Sequence, residues 1–204
     1  MSEASRLWRA ARRLNRLAAR RKGLPPLLLF TDPERTPDPL AAASRLPRGA
    51  GVVYRAFGAP GAVEVGRALA RLCRRRGLGL LVGADVRLAA RLGADGVHLP
   101  ERMSGRAGDI RALRRRFLVT AAAHSLPAVL RARRAGADAL VISPIFVSGS
   151  PSAGAPLGPL VLARWVRRAG ASAYALGGVN GGNVGKLGMT GAVGVAAIEA
   201  LVRT

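Results

Sequence analysis

The strongest constraint on the fold is an alternation, repeated eight times, between a short apolar run and a stretch whose apolar residues have helical spacing. The runs are four or five residues long and lack a strict apolar/polar alternation, which is typical of parallel strands buried on both faces. The predicted strands are residues 27–30, 51–54, 79–82, 96–99, 117–120, 139–143, 172–175 and 192–195. The predicted helices lie near residues 38–46, 61–76, 85–92, 106–115, 126–135, 158–169, 180–187 and 197–203.

Eight strand–helix steps predict an α/β fold, a single (β/α)8 TIM barrel with an extra N-terminal helix. An open, doubly wound sheet is the alternative, but its glycine-rich turn after the first strand is missing because LLLFTDPER occupies residues 27–35. The 204 residues contain no interdomain linker and fit one domain. We therefore predict one domain over residues 1–204, with a basic amphipathic helix in residues 1–23 and the barrel in residues 24–204.

The predicted N-terminal helix carries an apolar stripe among arginines. Leu7, Ala11, Leu14 and Ala18 fall on one face of a helix over residues 4–22. We expect this helix to close one end of the barrel. The alternative is an arm that binds a membrane surface or nucleic acid.

Charge is the second unusual property of the chain. It has 33 basic and 11 acidic residues, a formal net charge of +22, and its only lysines are Lys22 and Lys186. Such a charge attracts polyanions, but the arginines are spread over nearly every predicted helix and no aromatic-rich basic motif accompanies them. A solvated basic surface is the favoured interpretation, and a nucleic-acid partner is the less favoured one.

The single cysteine and the hydropathy pattern bear on location. Cys73 cannot form a disulfide within the chain and is assigned no role, because a lone cysteine in a helical pattern is usually a packing residue. No run of about 18 apolar residues occurs and arginines interrupt the N-terminus, so neither a spanning helix nor a signal peptide is predicted. We expect a cytoplasmic protein without a membrane partner.

Motifs in their order along the chain resemble those of the thiamine phosphate synthase and TenI family of thiamine biosynthesis, phosphate-binding TIM barrels. These motifs are LLLFTD (27–32), YR (54–55), GADGVHLPE (93–101), AHS (123–125), GADALVISPIF (136–146), ALGGVN (175–180) and GAVGVAAI (191–198). The resemblance implies a thiazole phosphate or related heteroaromatic phosphate as the small-molecule partner, and it allows a homo-oligomer.

Synthases of this family join an aminopyrimidine diphosphate to a thiazole phosphate and use Mg²⁺ to stabilise the departing pyrophosphate. Several of the family's residues for this step are replaced here. Gly83-Ala84-Asp85 stands where the family has Asn-Asp-Arg, and Met103 stands where it has the second metal aspartate. Asp85 is instead expected to cap a helix. No metal ligand and no cofactor are therefore predicted, and Mg²⁺ is expected only if the synthase interpretation holds.

The TenI-like branch aromatises a carboxythiazole phosphate without metal. Its acid–base histidine follows the fifth strand, where this chain has His124, and imidazole titrates near neutral pH. A helix-start residue bonded to backbone is an equally open interpretation of His124. The other histidine, His98, is expected to make a structural hydrogen bond. Arg55 is the one residue of the family's Gln-x-Arg-x-Lys pattern that survives, and it is the predicted substrate-binding cation.

A phosphate cradle is predicted from turns near the end of the chain, where glycines allow backbone N–H groups to approach an anion. The predicted phosphate-binding residues are Ser148, Ser150, Gly158, Gly177, Gly178, Ala197 and Ile198, the last two opening the final helix. Glu199 stands where the family has serine, and its carboxylate is expected to compete with phosphate if it points into the site.

The favoured function is a TenI-like tautomerase. The alternatives are a divergent synthase that uses Arg55 with Ser148 and Ser150, and a non-catalytic descendant that binds a ligand or a polyanion.

Overall fold

The computed structural model describes residues 2–18, 23–149 and 154–202. Eight parallel strands form a closed barrel in which each strand pairs with its neighbours in sequence and β8 pairs with β1. The strands are β1 (Leu27–Phe30), β2 (Gly51–Tyr54), β3 (Gly79–Gly83), β4 (Gly96–Leu99), β5 (Leu118–Ala123), β6 (Ala139–Ile142), β7 (Ala173–Ala175) and β8 (Gly194–Ala197). The predicted fold class is confirmed.

Seven α-helices surround the described part of the barrel. They are α1 (Glu3–Ala18), α2 (Pro39–Ser44), α3 (Ala62–Arg76), α4 (Val86–Leu92), α5 (Ala107–Leu113), α6 (Leu126–Arg134) and α7 (Gly158–Ala169). Three short 3₁₀ segments, Glu101–Arg106, Val184–Leu187 and Glu199–Leu201, complete the connections. No helix in the described ranges is long and apolar enough to cross a membrane.

The last two predicted helices were wrong in type and extent. Near 180–187 the described residues form only the 3₁₀ segment Val184–Leu187, and over 197–202 they form only Glu199–Leu201. Residue 203 of the last predicted helix lies outside the described ranges. The predicted last strand was displaced by two residues, since β8 begins at Gly194 and ends at Ala197. Ile198 has φ −115° and ψ −85°, which is not a helical conformation, so the chain turns before it can start a helix.

Apolar side chains form two layers, one inside the barrel and one between the strands and the helices. The inner layer includes Leu28, Phe30, Val53, Leu81, Val141 and Tyr174. Because successive strand residues point to opposite faces, their neighbours Leu29, Val52, Leu80 and Leu140 pack outward against helices. Burial on both faces explains why the strands read as continuous apolar runs.

The N-terminal helix α1 packs along the side of the barrel, and the expectation that it closes one end was wrong. Its buried residues Leu7, Ala11 and Leu14 join the outer apolar layer with residues of β1 and β8. In the part of the chain that the structure describes, only 3₁₀ segments follow β7 and β8, and α1 is the long helix that covers this side of the sheet. Predicted residues 19–22 of the helix lie outside the described ranges.

The direction of α1 matches that of the barrel helices. The Asn15 side-chain amide donates to the carbonyls of Leu24 (3.2 Å) and Val193 (2.9 Å), which precede β1 and β8. At its other end, a Glu3 carboxylate oxygen accepts the Gly181 N–H (3.4 Å) in the loop that follows β7. The helix therefore runs antiparallel to the strands, with Glu3 at the rim where their carboxyl ends lie.

Candidate functional site

A cavity of about 1100 Å³ opens at the carboxyl ends of the strands, and residues from the loops after all eight strands line it. Of the residues predicted to act in the site, His124, Arg55, Ser148, Gly177, Gly178, Ala197 and Ile198 lie in its wall. Residues far apart in sequence meet here because a parallel barrel brings every strand's carboxyl end to one rim.

His124 follows β5, and its imidazole contacts Ser143, the residue before Pro144 in the loop after β6. The Nδ1 atom lies 2.9 Å from the Ser143 carbonyl oxygen and 3.3 Å from the Ser143 hydroxyl. A carbonyl oxygen only accepts, so Nδ1 carries the proton in this bond and Nε2 of the neutral ring keeps its lone pair. His124 is exposed and lines the cavity, so the structure allows an acid–base role.

The backbone of His124 is held separately from its ring. Glu101 accepts the His124 N–H through Oε2 (2.8 Å) and pairs with Arg131 of α6 through Oε1 (3.3 Å). Both carboxylate oxygens are thus used in fixing the loop that carries His124. No sequence pattern predicts this contact, because Glu101 and His124 follow different strands and the pairing of β4 with β5 brings them together.

His98 is buried at the bottom of the cavity, with 7% of its surface exposed. Its Nδ1 lies 3.0 Å from the Thr120 hydroxyl, and its ring meets Phe30 edge-on with centroids 4.8 Å apart. The predicted structural hydrogen bond is present. Burial, with smaller contributions from the charges of Arg55 and His124, lowers the pKa of His98 to about 3, so the ring is neutral near pH 7.

Arg55 is fixed at the mouth of the barrel by bonds to the loop after β1. Its Nε donates to the Thr31 carbonyl (2.7 Å) and its Nη2 to Asp32 (3.2 Å). The guanidinium carbon lies 5.4 Å from the ring centre of Phe30 and 5.2 Å from that of Phe57. Arg55 is therefore a preorganised cation, but its charge is shared with a carboxylate.

Asp32 links Arg55 to a second arginine that the sequence analysis did not single out. Arg35 donates to the same Oδ2 atom at 2.8 Å, and the backbone N–H groups of Glu34 and Arg35 bond Oδ1. The hydrogen bond from Arg35 is the main reason that the pKa of Asp32 lies below its usual range, while partial burial opposes it. The spacing of Asp and Arg in TDPER was the available signal for this pair.

Gly177 and Gly178 have positive φ angles of 89° and 65° and pack directly against the loop after β6. A Cβ on Gly177 would lie 2.7 Å from Pro144 Cα, and one on Gly178 would overlap the Val147 carbonyl oxygen. Packing alone thus requires both glycines. Their N–H groups have no acceptor within the described ranges, so they are free to bind an anion in the cavity.

The remaining predicted phosphate contacts are less favourable. The Gly158 N–H at the start of α7 already donates to the Ile145 carbonyl (3.0 Å), so it is not available to an anion in this conformation. Ala197 ends β8 and Ile198 follows it, so neither opens a helix, contrary to the prediction. Ser148 lines the cavity, as does Glu199. Ser150 lies outside the described ranges.

Two acidic side chains of the site have hydrogen-bond partners within the fold. Asp85 accepts the Leu88 N–H (2.8 Å) as the N-cap of α4, which confirms its predicted capping role. Glu101 accepts the His124 N–H and pairs with Arg131. Met103 packs against the outer apolar layer. Within the described ranges no three histidine, cysteine, aspartate or glutamate side chains converge on a point that a metal could occupy. Asp85 and Glu101 therefore each hold a backbone N–H of the fold.

The fold and the cavity define a (β/α)8 barrel with a site of small-molecule size at the carboxyl ends of its strands. The family model described as thiamine monophosphate synthase matches residues 31–201. The chain belongs to this family.

Curated relatives agree with this assignment. The chain is 35% identical over 169 residues to a thiamine-phosphate synthase of Methylococcus capsulatus, covering 79% of this chain and 74% of that protein. It is 40% identical over 121 residues to one of Chromobacterium violaceum, covering 56% and 55%. It spans only 30% of a thiamine biosynthesis bifunctional protein of Symbiobacterium thermophilum, to which it is 32% identical over 144 residues and 70% of its own length.

Among solved structures, a thiamine phosphate pyrophosphorylase from Pyrococcus furiosus superposes with a TM-score of 0.74 at 24% identity, covering 93% of this chain and 88% of that one. This likeness supports the fold.

Proposed function

We propose that the protein binds a heteroaromatic phosphate of the thiazole phosphate type at the mouth of the barrel and relocates protons on its ring, with His124 as the acid–base residue. The reaction is an isomerisation: one proton leaves the ring, another is returned at a different position, and the composition of the molecule is unchanged.

The observation that carries this proposal is the orientation of the His124 ring. Its Nδ1–H is bonded to the Ser143 carbonyl, which leaves the Nε2 lone pair as the basic atom of a residue in the cavity wall. A base that takes a proton and then returns it must present one nitrogen to the substrate in a fixed orientation. The Glu101 contact to the His124 backbone holds the loop for the same purpose.

Binding of the phosphate is assigned to the Gly177 and Gly178 N–H groups, with Ser148 on the facing loop. Backbone N–H groups and a hydroxyl suit a phosphate because they donate hydrogen bonds without adding charge. Glu199 lines the same cavity, and its carboxylate opposes a phosphate by charge repulsion. We therefore expect weak binding of the phosphate by the natural chain.

The test is an aromatisation assay with a carboxythiazole phosphate on the wild-type protein and on His124→Gln. Glutamine keeps a donor for the Ser143 carbonyl but does not titrate, so kcat should fall by about 10²-fold or more while ligand affinity changes little. His98→Asn is the matched control, because it removes the other histidine of the cavity, which is neutral near pH 7. Full activity in His124→Gln would overturn the proposal.

A divergent synthase is the second candidate, favoured by the names of the Methylococcus and Chromobacterium relatives, both thiamine-phosphate synthases. In that case Arg55 and Ser148 would face the pyrophosphate. Mg²⁺-dependent release of pyrophosphate from an aminopyrimidine diphosphate, only when thiazole phosphate is present, would establish it. Asp85→Asn keeps the N-cap and removes the carboxylate, so loss of that activity with unchanged stability would identify Asp85 as a replaced metal ligand.

A further inference from the structure

About half of the exposed arginines in the described ranges lie at the amino-terminal face of the barrel, opposite the cavity. Each barrel helix returns the chain from the carboxyl end of one strand to the start of the next, so its last turn and the following loop lie at this face. Fourteen exposed arginines in the described ranges occupy such positions. Two of them contact residues that follow β8 and β4, since Arg45 donates to the Val202 carbonyl (3.3 Å) and Arg131 pairs with Glu101 (3.3 Å). We call the other twelve the arginine rim: Arg48, Arg74, Arg75, Arg76, Arg91, Arg114, Arg115, Arg116, Arg133, Arg134, Arg167 and Arg168.

Acidic residues have the opposite distribution. Nine of the eleven lie in the loops and first helical turns at the mouth, or at the mouth end of α1: Glu3, Asp32, Glu34, Asp38, Glu64, Asp85, Glu101, Asp109 and Glu199. The two at the opposite face, Asp95 and Asp138, bond the backbone N–H groups of Leu80 and Val119 (2.8 Å each).

The rim arginines therefore have few counter-charges. Within the described ranges none of them forms an ion pair with a carboxylate. Two arginines of last helical turns do form ion pairs, Arg111 with Asp138 and Arg131 with Glu101, and neither belongs to the rim. Mutual repulsion among so many uncompensated guanidinium groups is relieved when a polyanion binds.

A depression of about 570 Å³ lies within the rim. Its lining consists of four glycines, five apolar residues, Arg116 and Asp95. The glycines are Gly23, Gly49, Gly77 and Gly79, and the apolar residues are Leu24, Pro25, Leu78, Leu81 and Leu118. Asp95 is its only acidic lining residue among those described. The face is thus concave at its centre and cationic at its edge, a shape that can follow a curved phosphate backbone.

We propose that the arginine rim is an interface for nucleic acid, bound through its phosphates and without sequence preference. Guanidinium groups match phosphate oxygens in pairs, which favours arginine over lysine for this purpose. The chain has eight aromatic residues in 204, and none is exposed at the rim, so base stacking has no platform there. A membrane surface would instead require a contiguous apolar face for insertion, and the rim consists of arginines.

The experiment measures binding of a fluorescent single-stranded DNA of about 20 nucleotides to the full chain at several salt concentrations. The rim variant carries four substitutions, one from each of four helix ends: Arg75→Gln, Arg115→Gln, Arg133→Gln and Arg168→Gln. The control removes the same charge from the mouth half of the molecule: Arg6→Gln, Arg67→Gln, Arg87→Gln and Arg106→Gln.

We expect the rim variant to bind the DNA at least about tenfold more weakly than wild type at about 0.1 M salt. The negative slope of its log affinity against log salt concentration should be less steep than that of wild type by about one or more. The control should lose less than about threefold. Equal losses in both variants would overturn the proposal, because they would mean that net charge alone attracts DNA. It would also be overturned if anionic phosphatidylserine vesicles displaced the DNA and bound to the rim more tightly. Circular dichroism of each variant establishes that the fold is retained.

Discussion

At the scale of single residues, the imidazole of His124 is held by groups from two neighbouring loops. Ser143 fixes which nitrogen carries the proton, and Glu101 fixes the backbone on which the ring stands. His98, in the same cavity, is kept neutral by burial and bonded to Thr120. The two histidines therefore differ in environment: His124 is exposed in the cavity wall, and His98 is buried beneath it.

The burial of His98 predicts a pH-dependent stability. Its folded pKa of about 3 lies below the unfolded value near 6.5, so the unfolded chain takes up a proton that the folded chain does not. The contribution of neutral His98 to the free energy of unfolding is fully present above about pH 6.5 and is lost as the pH falls toward 3. Between about pH 7.5 and pH 5 the free energy of unfolding should fall by about 2 kcal/mol from this group.

Urea unfolding of wild type and His98→Asn at both pH values checks this expectation. The variant lacks the titrating group, so its stability should change with pH by about 2 kcal/mol less than that of the wild type. Equal pH dependence in the two proteins would contradict the account of His98.

Gly178 provides a second test at this scale. Alanine there has a strained positive φ and overlaps the Val147 carbonyl, so Gly178→Ala should lower the free energy of unfolding by about 2–4 kcal/mol. Gly105→Ala is the matched control, since nothing lies within 4 Å of its added Cβ, and its effect should stay below about 1 kcal/mol. Similar thermal unfolding of both variants would argue against the tight packing of the glycine pair on the loop after β6.

At the scale of elements, α1 takes over the covering role of a barrel helix. The segments after β7 and β8 are single 3₁₀ turns, and the apolar face of α1 packs where a longer helix would lie. The same helix brings Glu3 into the cavity wall. An element outside the eightfold repeat thus contributes both to the core and to the edge of the site.

Two leucines of α1 test whether the buried face of this helix stabilises the barrel. Leu7 is fully buried and Leu17 is 70% exposed, although both lie in the same helix. Leu7→Ala should therefore lower the free energy of unfolding by about 2–5 kcal/mol, while Leu17→Ala should change it by no more than about 0.5 kcal/mol. Denaturant unfolding measures both, and a small loss for Leu7→Ala would mean that α1 does not support the barrel.

Periodicity was sufficient to predict the barrel and most of its strands, because buried parallel strands produce short apolar runs. It failed at the end of the chain, where Ala192 and Val193 are buried without belonging to β8 and therefore resemble strand residues. It also could not find the contact between Glu101 and His124, which depends on strand pairing. The family resemblance located His124 and Arg55 in the mouth, and the glycine-containing turn located Gly177 and Gly178. Neither signal predicted that the Gly158 N–H already donates to the Ile145 carbonyl.

At the scale of the whole molecule, the two faces of the barrel differ in their balance of acidic and basic residues. The mouth gathers most of the carboxylates around the cavity, while the amino-terminal face is surrounded by arginines. A small anionic ligand at the mouth must therefore be held by specific N–H groups against local negative charge. The overall charge of +22 contributes to its approach but not to its recognition.

The proposed function requires the mouth of the barrel to bind a heteroaromatic phosphate without a divalent cation. Calorimetric titration of the protein with thiazole phosphate, in EDTA and then in Mg²⁺, tests it most directly, with Glu199→Ser as the companion variant. We expect wild-type protein to bind thiazole phosphate with the same affinity in EDTA and in Mg²⁺. We expect Glu199→Ser to bind it more tightly, because the carboxylate that repels the phosphate is gone. Absence of binding by both proteins in EDTA, with binding restored by Mg²⁺, would contradict it.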